Sequence, residues 1–326
     1  MKRENIIGRA NVEDTPELEA YYRELEGEAL GALWNVANEI EPWYPQPKSV
    51  PTLWKWQTVE RFVRRAPQLV SAEKAARRVV MLVNPGRKEW SAAAGLLYTG
   101  VQVMNPGEFT SAHRHQASAL RFVMEGRGAY TVVDGEKMTL GARDLVLTPN
   151  GTWHDHGIEA DGTQCVWQDG LDIPLMNALD ANFYEVHPQV VQTPGSLSRE
   201  NWSKPYSPQF IYKWDESYAA VKQQGVYEYR NPLTGGPIMP TMGARLEWIR
   251  GAGSARRHTG SVIYQVASGH GWSEVGGQRF EWEEKDIFCV PSWTLYRHGA
   301  VSEAVLFSFN DFPAMKALAL WREASV

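Results

Sequence analysis

The sequence predicts a mainly β protein, two similar β-barrels from one duplicated unit, preceded by a helical N-terminal segment. Three observations lead there. From about Arg77 onward, short β-rich runs alternate with glycine and proline turns, the pattern of a sandwich or barrel. The stretch 125–157, "EGRGAYTVVDGEKMTLGARDLVLTPNGTWHDHG", can be laid against 268–299, "SGHGWSEVGGQRFEWEEKDIFCVPSWTLYRHG". Both read Gly-x-Gly, strand, turn with Gly, strand, Asp, apolar triplet, Pro, aromatic, x-His-Gly, with one gap. Before residue 75 the apolar spacing is helical instead.

In that first segment Thr15 can cap a helix with Pro16 at its first position. Leu18, Tyr22, Leu25, Ala29, Leu33 and Ala37 then recur at helical spacing. "EPWYPQPKSVP" (41–51) is a connector, because each Pro removes a donor and fixes the backbone. "TLWKWQTVERFVRRA" (52–66) reads as a second helix and "SAEKAAR" (71–77) as a short third. This segment, residues 1–75, reads as a packing and oligomerisation layer. "RRVVMLV" (77–83), "LLYTGVQVM" (96–104) and "RDLVLTP" (143–149) read as strands. "AYTVVDGEKMTL" (129–140) reads as a hairpin turning at Asp134-Gly135. The first barrel then spans 76–185 and the second 186–326.

Composition narrows the function. The chain has 326 residues and a formal charge of -5, which argues against a nucleic-acid face but leaves room for a locally positive pocket. No apolar run approaches the ~18 residues of a membrane span, and "MKRENIIGRANVEDTPELEA" has no apolar leader core; the expectation is a cytoplasmic protein. Cys165 and Cys289 stand apart in apolar contexts and read as buried thiols.

The histidines carry the chemistry. Of only 8, His113 and His115 lie two apart, and so do His154 and His156. Alternate residues of a strand share a face, so each pair points one way while Arg114 and Asp155 point the other. A barrel can bring the two segments together, and imidazoles converging on one interior point make a metal site. Spacing alone does not choose the metal.

"PGEFTSAHRH" resembles the first cupin motif and "RDLVLTPNGTWH" the second; in that resemblance His113, His115 and His154 are the ligands. The glutamate usual in the motif is missing, since Ala119 and Leu120 occupy its place; Glu125, further on, reads as a turn residue. Three neutral imidazoles leave a divalent ion its full charge, which a chelating ortho-hydroxybenzoate would neutralise. The finer resemblance is to the gentisate 1,2-dioxygenase family, with its relatives acting on salicylates and 1-hydroxy-2-naphthoate. It is carried by "HRHQASALRFVMEGRGAYTVVDGEKMTL", "TPNGTWHDHG", "DGLDIPL", "RRVVMLVNP" and "LYTGVQVMNPGE". The resemblance implies a bicupin fold, one Fe(II) per subunit in the N-terminal cupin, and a homotetramer. It also implies opening of gentisate to maleylpyruvate with O2.

Around the metal, Arg121 shares the face of Ala119 and Val123 and is read as a clamp on the substrate carboxylate, with an internal salt bridge as the alternative. Arg77 or its neighbour Arg78 is a second carboxylate contact. Tyr98, Gly100 and Gln102 share a face of their strand: Gly100 leaves room for a ring, and Gln102 either contacts oxygen or substrate or is satisfied by backbone. Val79 and its neighbours bear on which substrate fits. His156 is read as a proton relay or hydrogen-bond partner rather than a ligand, and Asp169 as a group orienting the pocket from behind; Asp172 does the same or caps a turn. In the second copy His258 corresponds to His115, but Arg256 to His113 and Tyr296 to His154, with His298 at the place of His156; a structural or interface role is expected there. The alternatives are a salicylate or substituted-salicylate dioxygenase, other cupin metal chemistry, and a non-catalytic ligand-binding bicupin.

Overall fold

The computed structural model describes residues 13, 15–75, 77–195 and 210–325. Residues 1–12, the start of the stretch without an apolar leader core, lie outside that set. The chain divides into two units, Met1–Gln46 and Pro47–Val326. In the first, α1 (Pro16–Gly27) starts as its sequence dictates, with the Leu18 amide donating to Thr15 Oγ1 at 3.1 Å. The helical spacing does not run through to Ala37 in one piece. Gly27 and Gly31 flank a turn in which Ala29 takes a φ of 56°, and α2 (Leu33–Ile40) begins afresh beyond it.

The stretch 52–66 is not one helix. It opens with a strand, β1 (Thr52–Trp54), where a β-branched and an aromatic residue suit extended backbone. The helix α3 (Trp56–Leu69) starts after an extended Lys55, and α4 (Ala72–Ala75) is a single turn. The N-terminal barrel follows: β2 (Val79–Met81), β3 (Tyr98–Met104), β4 (Phe109–His115), β5 (Ala119–Glu125), β6 (Ala129–Val133), β7 (Glu136–Leu140), β8 (Leu145–Thr148), β9 (His154–Ile158) and β10 (Cys165–Leu171). The β6–β7 hairpin turns at Asp134 and Gly135, both at positive φ (44° and 83°), as a two-residue turn that matches strand twist requires. After α5 (Ile173–Ala178) come β11 (Tyr184–Val186), β12 (Ile211–Tyr212) and α6 (Trp214–Gln224). The C-terminal barrel comprises β13 (Val226–Glu228), β14 (Gly243–Ala252), β15 (Arg256–His258), β16 (Val262–Ser268), β17 (His270–Val275), β18 (Gln278–Glu283), β19 (Ile287–Val290) and β20 (Tyr296–Asn310), and the chain closes with α7 (Phe312–Ala317) and β21 (Glu323–Ser325). No helix among the described residues is long and apolar enough to cross a membrane.

The two barrels repeat one topology. One sheet of the first runs β12-β8-β5-β10-β3-β2, and the second runs β1-β19-β16-β20-β14-β13 in the same order. The matching edge strands are exchanged. β12, from the segment leading into the second barrel, pairs with β8 of the first, while β1, from the segment leading into the first, pairs with β19 of the second. A Lys-Trp dipeptide anchors each crossing: Asp286 accepts from Lys55 Nζ at 2.5 Å and the Trp56 amide at 2.6 Å, and Asp144 accepts from Lys213 Nζ at 2.5 Å and the Trp214 amide at 2.9 Å. These are the aspartates of the sequence repeat, which therefore reaches back to 52–56 and 210–214. It reaches forward as well. "DIPLMNAL" and "DFPAMKAL" open α5 and α7, and their leading Asp172 and Asp311 accept from the Ser118 and Ser261 amides at 2.8 and 2.7 Å.

Alternation along the strands sorts the side chains. Leu120 and Phe122 of β5 and Val101 and Val103 of β3 face the other barrel in one shared core, where the Phe122 and Phe307 rings stack at 4.0 Å. Val123, Met104 and Trp167 point inward and fill one part of the first barrel. The site occupies the remaining interior.

Burial pushes the Asp311 carboxyl up to about 7, against the pull of the Ser261 amide. A raised carboxyl means the folded chain binds the proton more tightly than the unfolded one, so Asp311 subtracts stability as pH rises from about 4 to about 7. Relative to wild type, Asp311→Asn is expected to gain stability progressively across that window and to level off above it, as read from urea midpoints at each pH.

Candidate active site

β4 and β9 pair with His113 opposite His154, across a bulge that separates this pair from the Thr110–His156 pair. The bulge re-aims the strand, so that His113, His115 and His154 turn one face inward. Their ring centroids lie 4.3 Å (113–154), 4.7 Å (115–154) and 5.7 Å (113–115) apart, and their nearest ligand atoms fall within 4.8 Å of one another. Each Nδ1 lies by a backbone carbonyl: Ser111 at 2.7 Å, Ala117 at 2.7 Å and Thr152 at 3.0 Å. A carbonyl only accepts, so each Nδ1 carries the proton and each Nε2 presents a lone pair. All three Nε2 atoms are buried without a protein partner. Burial first, then the Arg77 charge, lowers His113 to about 3 and His115 to about 4, and burial with the other two imidazoles holds His154 well below its ordinary range. Three neutral nitrogens converging without partners fit a divalent transition metal.

His156 stands outside that triad. Its Nδ1 is 3.0 Å from Thr131 Oγ1, its Nε2 has no partner, and its ring centroid lies 5.4 Å from that of His154. Arg114 points outward as alternation predicts, pairing with Glu185 and lying over Trp153.

A cavity of about 850 Å³ is lined by Arg77, Val79, Tyr98, Gln102, Arg121 and Asp169, with Met81, Trp90, Leu171, Ile173 and Asn177 among its other walls. The choice between the two arginines is resolved: Arg77 lines the cavity, while Arg78 is buried away from it against Glu108. Arg121 lines the cavity and also lies beside an internal carboxylate. Its Nε lies 3.2 Å from Asp169 Oδ1 without hydrogen-bond alignment, and its Nη1 donates to Thr148 Oγ1 at 3.2 Å. Burial raises the Asp169 carboxyl to about 6, against the downward pull of Arg121 and Arg77. Gln102 is 1% exposed and neither its Oε1 nor its Nε2 has a protein partner, so the backbone does not satisfy it. Burial pushes the Tyr98 hydroxyl well above its ordinary range, keeping it a donor. Gly100 lies between these two on β3; a Cβ there would meet Val79 Cγ1 at 2.5 Å. Asp172 lies off the cavity and ties Ser118 to Thr241.

Three contributors escaped the sequence reading. Thr131 and Thr148 hold His156 and Arg121, and both occupy inward positions that alternation could have flagged. Tyr184 of β11 stacks on His113 with centroids 5.2 Å apart, and nothing in its neighbourhood signals that long return. Glu125 ends β5 rather than lying in a turn, held by Arg64 and Lys285.

The Cupin domain family model matches residues 100–174. The chain is 35% identical to "Gentisate 1,2 dioxygenase 1" of Aquipseudomonas alcaligenes, over 95% of this chain and 97% of that one. The chain belongs to the gentisate 1,2-dioxygenase family. It is likewise 34% identical to the 5-aminosalicylate 1,2-dioxygenase of a Comamonas species, over 94% and 90% of the two chains. The crystal structure of a salicylate 1,2-dioxygenase variant from Pseudoaminobacter salicylatoxidans in complex with gentisate superposes with a TM-score of 0.90 at 31% identity, over 100% of this chain and 99% of that one. Membership makes the protein a ring-cleaving dioxygenase acting on an aromatic substrate, with a bicupin fold, and sets aside the non-catalytic reading.

Proposed function

We propose that the protein opens gentisate between C1 and C2, incorporating both atoms of O2 to give maleylpyruvate, with Fe(II) held by His113, His115 and His154. The observation that carries this reading is the convergence of three unpartnered Nε2 atoms in the barrel whose cavity is lined by two guanidiniums. Bound there, iron supplies the redox chemistry that joins oxygen to the ring. The chain's own groups do the rest. Arg121 and Arg77 take the substrate carboxylate, Asp169 and Thr148 hold the Arg121 fork in place, and the protonated Tyr98 donates a hydrogen bond across the ring. The unpartnered amide of Gln102 contacts oxygen or substrate. His156, steadied through Nδ1 by Thr131, places its Nε2 to exchange a proton with the substrate hydroxyl. The apolar walls Val79, Met81, Leu171 and Ile173 exclude water. The family resemblance extends the proposal to a cytoplasmic homotetramer.

A second reading within the family is a salicylate or 5-substituted salicylate as the true substrate, favoured by the 34% identity to a 5-aminosalicylate enzyme. Oxygen uptake by anaerobically Fe(II)-loaded protein decides between them. Rapid uptake with gentisate and release of maleylpyruvate supports the first reading, uptake confined to salicylate or 5-aminosalicylate the second. No uptake with any of the three in iron-replete protein overturns both.

Gly100 does not itself line the cavity, and Gly100→Ala tests how closely Val79 and Tyr98, which do, are seated over it. The new Cβ would lie 2.5 Å from Val79 Cγ1 and 3.1 Å from the Tyr98 oxygen, so the cavity wall must move. Overpacking of that kind costs about 1–3 kcal/mol. The expected outcome is a drop in kcat/KM of ~10-fold, carried mainly by KM and measured by steady-state oxygen consumption.

A further inference from the structure

The C-terminal barrel holds a second cavity, of about 250 Å³, against β14, β15 and β20, lined in part by Glu247, Arg256 and His298. The metal ligands are gone there. Arg256 stands at the repeat position of His113, and Tyr296, at that of His154, accepts from Arg256 Nε and is hydrogen-bonded to His258 Nε2, both at 2.9 Å. What replaces them is a charged cluster. Glu247 is buried between two guanidiniums, 2.8 Å from Arg245 and 2.6 Å from Arg256, and Tyr264 donates to it at 3.1 Å.

The charges do not balance. Burial pushes the Glu247 carboxyl up, but Arg245 and Arg256 outweigh it and hold the group well below the usual carboxylate range. Burial lowers His258 and His298 to about 4, so both are neutral at pH 7. Two guanidiniums against one carboxylate leave a positive excess, and Arg256, its side chain 39% exposed, carries it on the cavity wall beside Arg250 and Arg297, open to an anion from solvent. His298 adds a directed ring nitrogen. Its Nδ1 lies 2.7 Å from Ser273 Oγ, and that oxygen already accepts from Trp282 Nε1 at 2.8 Å. With Nδ1–H donating to Ser273 the serine hydroxyl hydrogen has no partner among the described residues, and with Ser273 donating to Nδ1 the ring proton sits on Nε2 and lacks one; an acceptor in the cavity satisfies the second arrangement and selects it. That Nε2 is buried without a partner, on a residue 5% exposed. Trp248, Ile249 and Ala255 supply apolar wall.

We propose that the C-terminal barrel binds a small organic monocarboxylate, with an apolar body no larger than one aromatic ring, between Arg256 and the Nε2–H of His298. A planar carboxylate suits the guanidinium fork, and its apolar body meets the wall formed by Trp248 and Ile249, which inorganic phosphate has no apolar part to cover. The site is independent of the ring-cleaving chemistry in the other barrel.

Benzoate is the probe, titrated calorimetrically into the full-length chain. Wild type is expected to bind two per chain, one in each barrel. Arg121→Gln should remove the first and leave the second. Arg256→Gln and His298→Phe should each weaken the second by about tenfold or more, as loss of one charge-assisted hydrogen bond implies, and inorganic phosphate should compete for it at least ~10-fold less well. Two results overturn the proposal: no saturable benzoate binding that survives Arg121→Gln, or binding that survives it with unchanged affinity in both C-terminal variants. If circular dichroism finds Arg256→Gln unfolded, His298→Phe, which keeps an aromatic ring but loses Nε2 and the Nδ1 contact to Ser273, decides by the same titration, with its own circular dichroism as the control.

Discussion

His113→Gln protein is expected to purify with less than about a tenth of the iron of wild type and to lose at least ~10³-fold in oxygen uptake. The magnitude follows from the donor set. Altering an outer hydrogen-bond partner of a ligand costs roughly 10–100-fold in metal affinity, and removing one of only three ligands costs more. His113 also has its tautomer set by the Ser111 carbonyl at 2.7 Å, which a glutamine amide cannot reproduce from the same backbone position. Two comparisons make the result specific. His156→Ala should keep its iron, because that imidazole lies outside the triad and is held by Thr131, yet lose about 10²-fold in kcat as a missing proton-transfer group would. His258→Gln, in the second barrel, should keep both iron and activity. Elemental analysis with oxygen-electrode kinetics on the same preparations is the measurement. Full iron in the His113 variant would falsify the assignment of the triad, and iron lost equally in the His156 variant would redraw its membership.

The parts of this site that were legible in the sequence share a cause. The paired histidines, the inward set Tyr98–Gly100–Gln102 and the inward placement of Arg121 all follow from the two-residue period of a strand, and β3, β4, β5 and β9 keep that period where these residues stand. What escaped depends on returns of the chain that no local pattern encodes. β1 looked helical because Thr52–Trp54 precede a genuine helix without a break residue, and its strand character is decided by an open edge beside β19, some 235 residues away in sequence. The Lys-Trp anchors and the Asp172/Asp311 pair are visible as repeats only once the exchange of edge strands indicates which barrel each serves. Arg77 and Arg78 illustrate the limit most plainly: neighbours just before β2 point opposite ways, and only Glu108, 30 residues on and paired with Arg78, determines which is turned from the cavity.

Arg121→Gln is expected to lower kcat/KM for gentisate by about 10²–10³-fold, with KM rising and stability changing much less. Arg121 is 3% exposed, and burial lowers its guanidinium to about 10, still charged at neutral pH. Its neighbours hold it incompletely: Thr148 takes one N–H, Asp169 lies at 3.2 Å but out of line, and the rest of the fork is left for the substrate. Truncating one partner of a buried, hydrogen-bonded charge pair costs about 2–5 kcal/mol, which sets the range for the bound carboxylate. The loss to the protein itself is smaller because Asp169 can discharge. Burial already holds that carboxyl near 6, and without Arg121, which pulls it down, it moves higher and is protonated at pH 7 rather than stranded as an anion. The variant should therefore unfold close to the wild-type midpoint at pH 6 and separate from it only as pH rises, since a carboxyl raised further is penalised in the ionised form. Arg121→Lys keeps the charge but not the fork and should recover only part of kcat/KM. Unfolding curves at pH 6 and 8, set beside KM and kcat for both variants, test the argument. A glutamine variant that keeps its KM would make Arg121 an internal partner of Asp169 and leave the carboxylate to Arg77.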